Sequence, residues 1–388
     1  MDWTAIWTFL TSRWFSVAAV GGFAVLAILY GAAYVRALRP QAGTLEWIQL
    51  HDRTSHTLAG RWQPPGLRDV APMAVVAVTA VLAWGYAALY SLRQSFPEAA
   101  APMETVAAVG VRYLAAPALA GLAVYLLVRG LYGSPMAALF SGLVPALDLT
   151  AEPLALLTVA VQALLLTRYL TAPAEARFAP GCLWLILSAA VGGAAASLAP
   201  SLVLVSAAAL VLLVAGSAAR FVELGRGWLV PALGAALAAF LVAALAAQTP
   251  AAVAAGMDFP ELYLRGDFYR FAALNFWLGL STAFGGPIAA VGSDWPVLLC
   301  GLLACVAAVV AVLRRREDLR GLSAAVWFAA LAALWALGGV YVAPFGCAVC
   351  LGAVWGGLCS RNRRLLAGWG GGCLLALQVA GYVGTWIL

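Results

Sequence analysis

The chain contains no lysine, so all 22 of its basic residues are arginine. Charge of either sign is scarce as well, since only 10% of the 388 residues are charged. Soluble domains keep roughly a quarter of their positions charged. The shortage of charge therefore excludes an ordinary soluble protein. With 64% hydrophobic residues and a mean hydropathy of +0.96, the chain is predicted to be an all-α, polytopic helical bundle in a membrane.

Histidine and paired cysteines are also too scarce to indicate metal or redox chemistry. His51 and His56 are the only histidines, and their five-residue spacing does not place both on one helical face, which weakens a bis-histidine haem site. Cys347 and Cys350 form a CxxC pair, but glycine and alanine surround them inside an apolar run. The seven cysteines fit small apolar contacts between helices better than a disulfide framework. No compact basic patch with interleaved aromatic residues indicates nucleic acid as a partner.

What the chain has is a series of long apolar runs, of which a transmembrane helix needs about 20 residues. The runs are 15–35, 72–92, 108–128, 180–198, 200–217, 227–247, 295–313, 321–338, 340–358 and 366–386. Two shorter runs, 135–148 and 153–170, are each bounded by a proline, which suits a helix start. We therefore predict about twelve spans, with 135–148 short, tilted or re-entrant. Gln162 and Gln378, in mid-span, are expected to form hydrogen bonds between helices.

The connecting loops alternate between arginine-rich and acidic composition. Arginines concentrate in 36–71, 314–320 and 361–364, whereas acids concentrate in the intervening loops. Basic loops stay on the cytoplasmic side of a membrane, so both termini are expected outside. Because no organelle address is present and no clear cleavage site follows the first run, we expect a multi-pass protein of a bacterial inner membrane. The amphipathic stretch 36–71 is expected to form an interfacial helix whose arginines meet anionic membrane lipid.

The acidic outer loops hold the candidate site residues. Asp148 and Glu152 lie four residues apart, where they are expected either to line an outer cavity and orient hydroxyls or a divalent cation, or, for Glu152, to cap the next helix. Glu98 and Glu104 precede Arg112 in the sequence. They are expected either to provide a general base or a metal ligand, or to lie in a solvated loop.

The long outer loop 248–294 is rich in aromatic residues interspersed with charged ones. Glu261 and Arg265 stand four residues apart, as in a solvated helical ion pair. Arginine is also a preferred phosphate ligand, so Arg265 or Arg270 is an alternative site for a lipid phosphate or pyrophosphate.

From residue 72 onward the order of these parts resembles the membrane-embedded glycosyltransferases of the GT-C superfamily, of the protein mannosyltransferase and aminoarabinose transferase type. The segment RGLYGSPMAALFSGLVPALDLTAEPLALLTVAVQALLLTRYL is the most similar part, and ALNFWLGLS resembles a stretch of the later outer loop in such enzymes. The first outer loop departs from the family pattern, because 93–107 lacks the usual catalytic aspartate.

The resemblance implies transfer of a sugar from a polyprenyl-phosphate donor to an acceptor on the outer face. By position it assigns the base to Glu98 or Glu104 and the shaping of the acceptor site, with a possible divalent cation, to Asp148 and Glu152. It assigns substrate binding, including the donor phosphate, to Arg265, Arg270 and Asn275.

The resemblance divides the chain into three segments. An extra helix with a cytoplasmic loop spans 1–71, the GT-C-like core spans 72–294, and four further helices span 295–388. Two other functions stay open: a non-catalytic subunit of a larger membrane complex, favoured by the missing aspartate, and a transporter of a lipid-linked substrate.

Overall fold

The computed structural model describes residues 62–95, 102–147, 152–171, 180–223, 226–248 and 342–360, and single residues at 323, 324, 326, 327, 330, 331, 334 and 368. Throughout these ranges the regular structure is helical and contains no strand, which confirms the all-α prediction for the described part of the chain. The predicted runs 15–35 and 295–313 lie outside it, as does most of 36–71.

The helices follow the apolar runs of the sequence. They are α1 Val70–Ser95, α2 Met103–Gly110, α3 Ala116–Tyr132, α4 Pro135–Leu147, α5 Pro153–Thr171, α6 Pro180–Leu198, α7 Val203–Glu223, α8 Arg226–Ala246 and α9 Ala343–Ser360. A π-helical turn, Val111–Ala115, joins α2 to α3 without a break. Two 3-10 turns, Leu67–Asp69 and Pro200–Leu202, precede α1 and α7.

Three of the described helical segments are long and apolar enough to cross a membrane. They are Leu67–Gly85, Met103–Tyr132 and Pro153–Thr171. Shorter apolar helical segments cover Pro135–Leu147, Cys182–Leu198, Pro200–Leu213 and Ala232–Ala246. Membrane insertion is therefore supported by the described helices, whereas the total of about twelve spans stays a prediction.

Helix α3 lies at the centre of the described bundle. It packs against α1, α4, α5 and α9. Helix α5 also packs against α6, and α6 packs against α7 and most extensively against α8. Glycines allow the closest approach: a Cβ atom added to Gly121 of α3 would lie 3.1 Å from the carbonyl oxygen of Gly142 in α4. Small residues at such crossings are typical of membrane helix pairs, which lack a hydrophobic driving force and rely on close packing.

Helices α3 and α4 differ in length, so they do not reach the same level at the Arg112 end of α3. The helical stretch from Arg112 to Tyr132 rises about 30 Å, whereas the 13 residues of α4, which starts just after Tyr132, rise only about 20 Å. Helix α4 therefore ends about 10 Å below the level of Arg112.

Candidate functional site

Charged side chains meet at two opposite ends of the helices. One end, called here the Glu152 end, contains Arg112 and Glu152 with the aromatic pair Trp84 and Tyr113. The other end, called here the Asp69 end, contains seven residues: Trp62, Gln63, Asp69, Tyr125, Arg129, Arg168 and Trp184. Within the charge pattern of the loops, the Glu152 end is the predicted outer end and the Asp69 end the predicted cytoplasmic end.

At the Glu152 end, a single carboxylate joins two helices. The guanidinium of Arg112 donates to Glu152 Oε1 from Nε at 3.1 Å and from Nη2 at 2.9 Å. The second oxygen, Oε2, accepts the backbone N–H of Ala155 at 2.7 Å. Glu152 is thus the cap of α5, which confirms the capping interpretation of its place before Pro153. The pair is accessible at the protein surface, since the two side chains are 26% and 28% exposed.

Aromatic rings support the arginine of this pair. The Arg112 guanidinium carbon lies 5.5 Å from the centre of the Tyr113 ring. Tyr113 stacks on Trp84 of α1, with ring centres 6.2 Å apart and an interplanar angle of 15°. Arg112 and Tyr113 both belong to the π-helical turn, a rare element that is frequent at functional sites because it re-aims side chains.

The other predicted site residue within the described part is Glu104. It is exposed in the first turn of α2, about 12 Å along the helix axis from Arg112. The structure therefore places Glu104 and Glu152 at the same end without bringing them together. Glu98, Asp148, Arg265, Arg270 and Asn275 lie outside the described residues, and their predicted roles stay predictions.

Among the residues that the structure describes, no group of three or more histidine, cysteine, aspartate or glutamate side chains is placed to hold a metal ion. Glu152 belongs to the predicted Asp148–Glu152 pair, and its two oxygens are engaged by Arg112 and by the helix cap. The chemical capability of the Glu152 end is therefore anion binding: the Arg112 guanidinium, which now binds the Glu152 carboxylate, can also bind another anion.

The Asp69 end contains a hydrogen-bond network that the sequence did not reveal. Asp69 is only 1% exposed, and its Oδ1 accepts the Tyr125 hydroxyl at 2.6 Å and Arg129 Nε at 2.8 Å. Its Oδ2 accepts the Gly66 backbone N–H at 2.8 Å, and Arg129 Nη1 donates to Gln63 Oε1 at 3.2 Å. The carboxylate thereby fixes the segment before α1 to the last turn of α3.

Next to this network, Trp62 lies against α3 and contacts a second arginine. No side chain fits at Gly130, because an added Cβ would overlap the Trp62 ring. Gly133 ends α3 with a φ of 68°, a left-handed conformation that favours glycine. The guanidinium carbon of Arg168 lies 4.7 Å from the centre of the Trp62 ring and 5.2 Å from that of Trp184.

The predicted role of Gln162 in joining helices is confirmed. Its Nε2 donates to Ser206 Oγ of α7 at 3.2 Å, and Ser188 Oγ of α6 donates to its backbone oxygen at 3.0 Å. An added Cβ at Gly192 would lie 2.5 Å from the Gln162 amide nitrogen, so a glycine there keeps room for the amide. These contacts tie α5, α6 and α7 together in mid-bundle and do not form part of either charged end.

Arg112 and Asp69 were not singled out by the sequence patterns. Arg112 was noted only as a neighbour of Glu104, and Asp69 and Arg129 were not noted at all. The one signal available was the position of Arg112 and Arg129 near the ends of an apolar run, where a charge needs a partner. Comparison of the chain with protein-family models, with curated proteins and with solved structures finds no match.

Proposed function

We propose that this protein is a GT-C-like glycosyltransferase of a bacterial inner membrane that moves a sugar from a polyprenyl-phosphate donor to an acceptor on the extracytoplasmic face. The observation that supports the proposal most is the Arg112–Glu152 pair at the end of α2, α3 and α5. It combines an accessible arginine fork with a carboxylate that holds the fork in place.

The geometry of Arg112 suits a phosphate ligand. Two of its nitrogens already bind one carboxylate oxygen, and its ring contact with Tyr113 limits the freedom of the side chain. A guanidinium that is orientated in this way binds a phosphate with little further loss of conformational entropy. Asp148, the second predicted acceptor-site residue, precedes Glu152 by four positions in the sequence.

The proposed reaction needs one base and one anion ligand. The acceptor oxygen forms a bond to C1 of the sugar while the bond from C1 to the donor phosphate oxygen breaks. The acceptor proton passes to the carboxylate of Glu104 or Glu98, and the polyprenyl phosphate leaves with the additional negative charge. Arg112 stabilises that charge, together with Arg265 or Arg270 from the second outer loop.

Glu152 has a positioning role in this proposal. Its two oxygens accept hydrogen bonds from Arg112 and from the Ala155 backbone N–H, so we assign the base to another carboxylate. Its task is to hold Arg112 until a phosphate arrives. Asn275 and Asp148 would complete the binding of the sugar and the acceptor.

The test is the release of polyprenyl phosphate, measured by mass spectrometry, from a panel of polyprenyl-phosphate sugars added to the reconstituted full-length protein with an envelope fraction as acceptor. Glu104→Gln or Glu98→Gln should lower the rate by about 10²–10⁴-fold, the usual contribution of a general base. Arg112→Gln should lower it by about 10²-fold.

The matched control is Arg68→Gln, which removes one exposed arginine at the opposite end of the bundle. Its rate should equal that of the unaltered protein. Undiminished release in the Glu98→Gln, Glu104→Gln double variant would reject the assignment of the base. A complete lack of release from every donor by the unaltered protein would reject the proposed activity.

A second candidate is a non-catalytic GT-C-like subunit of a membrane complex. The full engagement of Glu152 favours it, since an ion pair that caps a helix and joins α3 to α5 has a sufficient structural role. Purification in mild detergent separates the two candidates: a subunit should elute with partners in fixed stoichiometry, whereas a transferase should retain activity as a single component.

A further inference from the structure

Among the seven described residues of the Asp69 end, two are positively charged and only one is negatively charged. Asp69 neutralises Arg129, with which it forms an ion pair at 2.8 Å. Trp62 lies next to this pair, and the Arg168 guanidinium contacts the indole rings of Trp62 and Trp184. Within the part of the chain that the structure describes, no carboxylate and no hydrogen-bond acceptor contacts the Arg168 side chain, although it is partly buried. The local excess of one positive charge therefore resides on Arg168.

Contacts with aromatic rings leave the donors of an arginine available. The rings of Trp62 and Trp184 attract the cationic charge but accept no conventional hydrogen bond from the N–H groups. The five N–H donors of a guanidinium fit the oxygens of a phosphate, and the partly desolvated setting strengthens such a bond. An arginine held by two indoles thus presents a fixed receptor for a phosphate group.

The surroundings of Trp184 favour a lipid as the source of this phosphate. Leu183 and Leu187 of α6 are 51% and 39% exposed, and Leu187 lies about one helical turn from Trp184 towards the middle of the bundle. A phosphate on Arg168 would therefore have exposed apolar side chains of α6 nearby, with Leu187 deeper in the bundle than Trp184. Tryptophan is also enriched at the level of lipid headgroups.

We propose that Arg168, Trp62 and Trp184 form a binding site for the phosphate of an anionic phospholipid in the membrane leaflet at the Asp69 end. The site is separate from the proposed transfer site at the Glu152 end. The bound lipid supplies a counter-charge that no described residue gives Arg168, and it packs its acyl chains along Leu183 and Leu187.

The experiment uses the full-length protein in nanodiscs of equal parts phosphatidylcholine and phosphatidylglycerol. Native mass spectrometry then measures the ratio of the two lipids that stay on the protein. The unaltered protein should retain phosphatidylglycerol preferentially. Arg168→Gln should lower the retained ratio by about tenfold, which corresponds to one charge-assisted hydrogen bond. Arg168→Lys keeps the charge without the planar fork and should recover only part of the ratio.

Arg68→Gln is the matched control, because Arg68 is an exposed arginine near the same end without an aromatic contact in the described structure. It should lower the ratio by less, at most about fivefold, as expected for a charge near an anionic surface. Equal decreases in Arg68→Gln and Arg168→Gln would overturn the site in favour of general surface attraction. An unchanged ratio in Arg168→Gln would also overturn it.

Two further measurements address misfolding of the variant and the source of the phosphate. If Arg168→Gln does not elute as a single species, Trp184→Leu is measured instead. Trp184→Leu should also lower the ratio of retained phosphatidylglycerol, and an unchanged ratio would contradict the proposal. Inorganic phosphate at millimolar concentration should leave the bound phosphatidylglycerol in place. Complete displacement by inorganic phosphate would show a site for a soluble phosphate compound and would overturn the lipid assignment.

Discussion

Replacing Asp69 by alanine should be among the most destabilising changes in the described part of the protein. The carboxylate is 1% exposed and accepts hydrogen bonds from Gly66, Tyr125 and Arg129. Its removal leaves the Arg129 guanidinium, whose side chain is 14% exposed, without a counter-charge. Breaking a buried ion pair from one side costs about 3–5 kcal/mol of unfolding free energy. Because Arg129 keeps some contact with water and with Gln63, we expect a value near the lower limit, about 3 kcal/mol.

Three companion variants separate the charge from the hydrogen bonds. Tyr125→Phe removes one hydroxyl that donates to a carboxylate and should cost about 1.5–3 kcal/mol. Arg129→Gln should cost about as much as Asp69→Ala, since it strands the buried carboxylate. The double variant Asp69→Ala, Arg129→Gln leaves neither charge unpaired, so its cost should be smaller than the sum of the two single costs by about 1–3 kcal/mol.

The assay is the unfolding free energy in mixed micelles of a mild detergent and dodecyl sulphate, with Arg68→Gln as the control for loss of a charge at an exposed neighbouring position. Arg68→Gln should change the free energy by less than about 0.5 kcal/mol. A cost below about 1 kcal/mol for Asp69→Ala, or strictly additive costs in the double variant, would refute the reasoning that the network holds the segment before α1 against α3.

Three further predictions concern glycines and the ion pair. Gly192→Ala places a methyl group 2.5 Å from the Gln162 amide and should cost about 1–3 kcal/mol of unfolding free energy, whereas Gly234→Ala, with no atom within 4 Å, should be nearly neutral. Gly133→Ala forces a left-handed backbone on alanine and should cost about 1–2 kcal/mol in the same assay. A double-mutant cycle on the Arg112–Glu152 pair should give a coupling of about 1 kcal/mol, and a coupling near zero would show that the pair does not join α3 to α5.

The helices could be predicted from the sequence because each apolar run is a local property. The run 72–92 became Val70–Ser95 and the run 108–128 became part of Met103–Tyr132. These two helices are longer than their runs because backbone hydrogen bonding continues into the polar interface, where hydropathy falls before the helix ends. The short helix α4 was foreseen, because the run 135–148 was predicted to be short and the helix is Pro135–Leu147.

The ion pairs could not be predicted because they join residues that are far apart in the chain. Glu152 lies 40 positions from Arg112, and Asp69 lies 60 positions from Arg129. The position of Glu152 before Pro153 was enough to indicate a helix cap, which is a local arrangement. Its pairing with Arg112 required the packing of α3 against α5, which no periodicity in the sequence specifies.

The proposed function requires that the Glu152 end faces the outside of the cell and the Asp69 end faces the cytoplasm. Glu104→Cys and Gly66→Cys each place a thiol at an exposed position, one at each end, and the unaltered protein gives the background from its native cysteines. We expect a membrane-impermeant maleimide to label Glu104→Cys in intact cells, and to label Gly66→Cys above background only after the membrane is permeabilised. Labelling of Gly66→Cys in intact cells, with Glu104→Cys protected until permeabilisation, would contradict the orientation and the extracytoplasmic transfer site that depends on it.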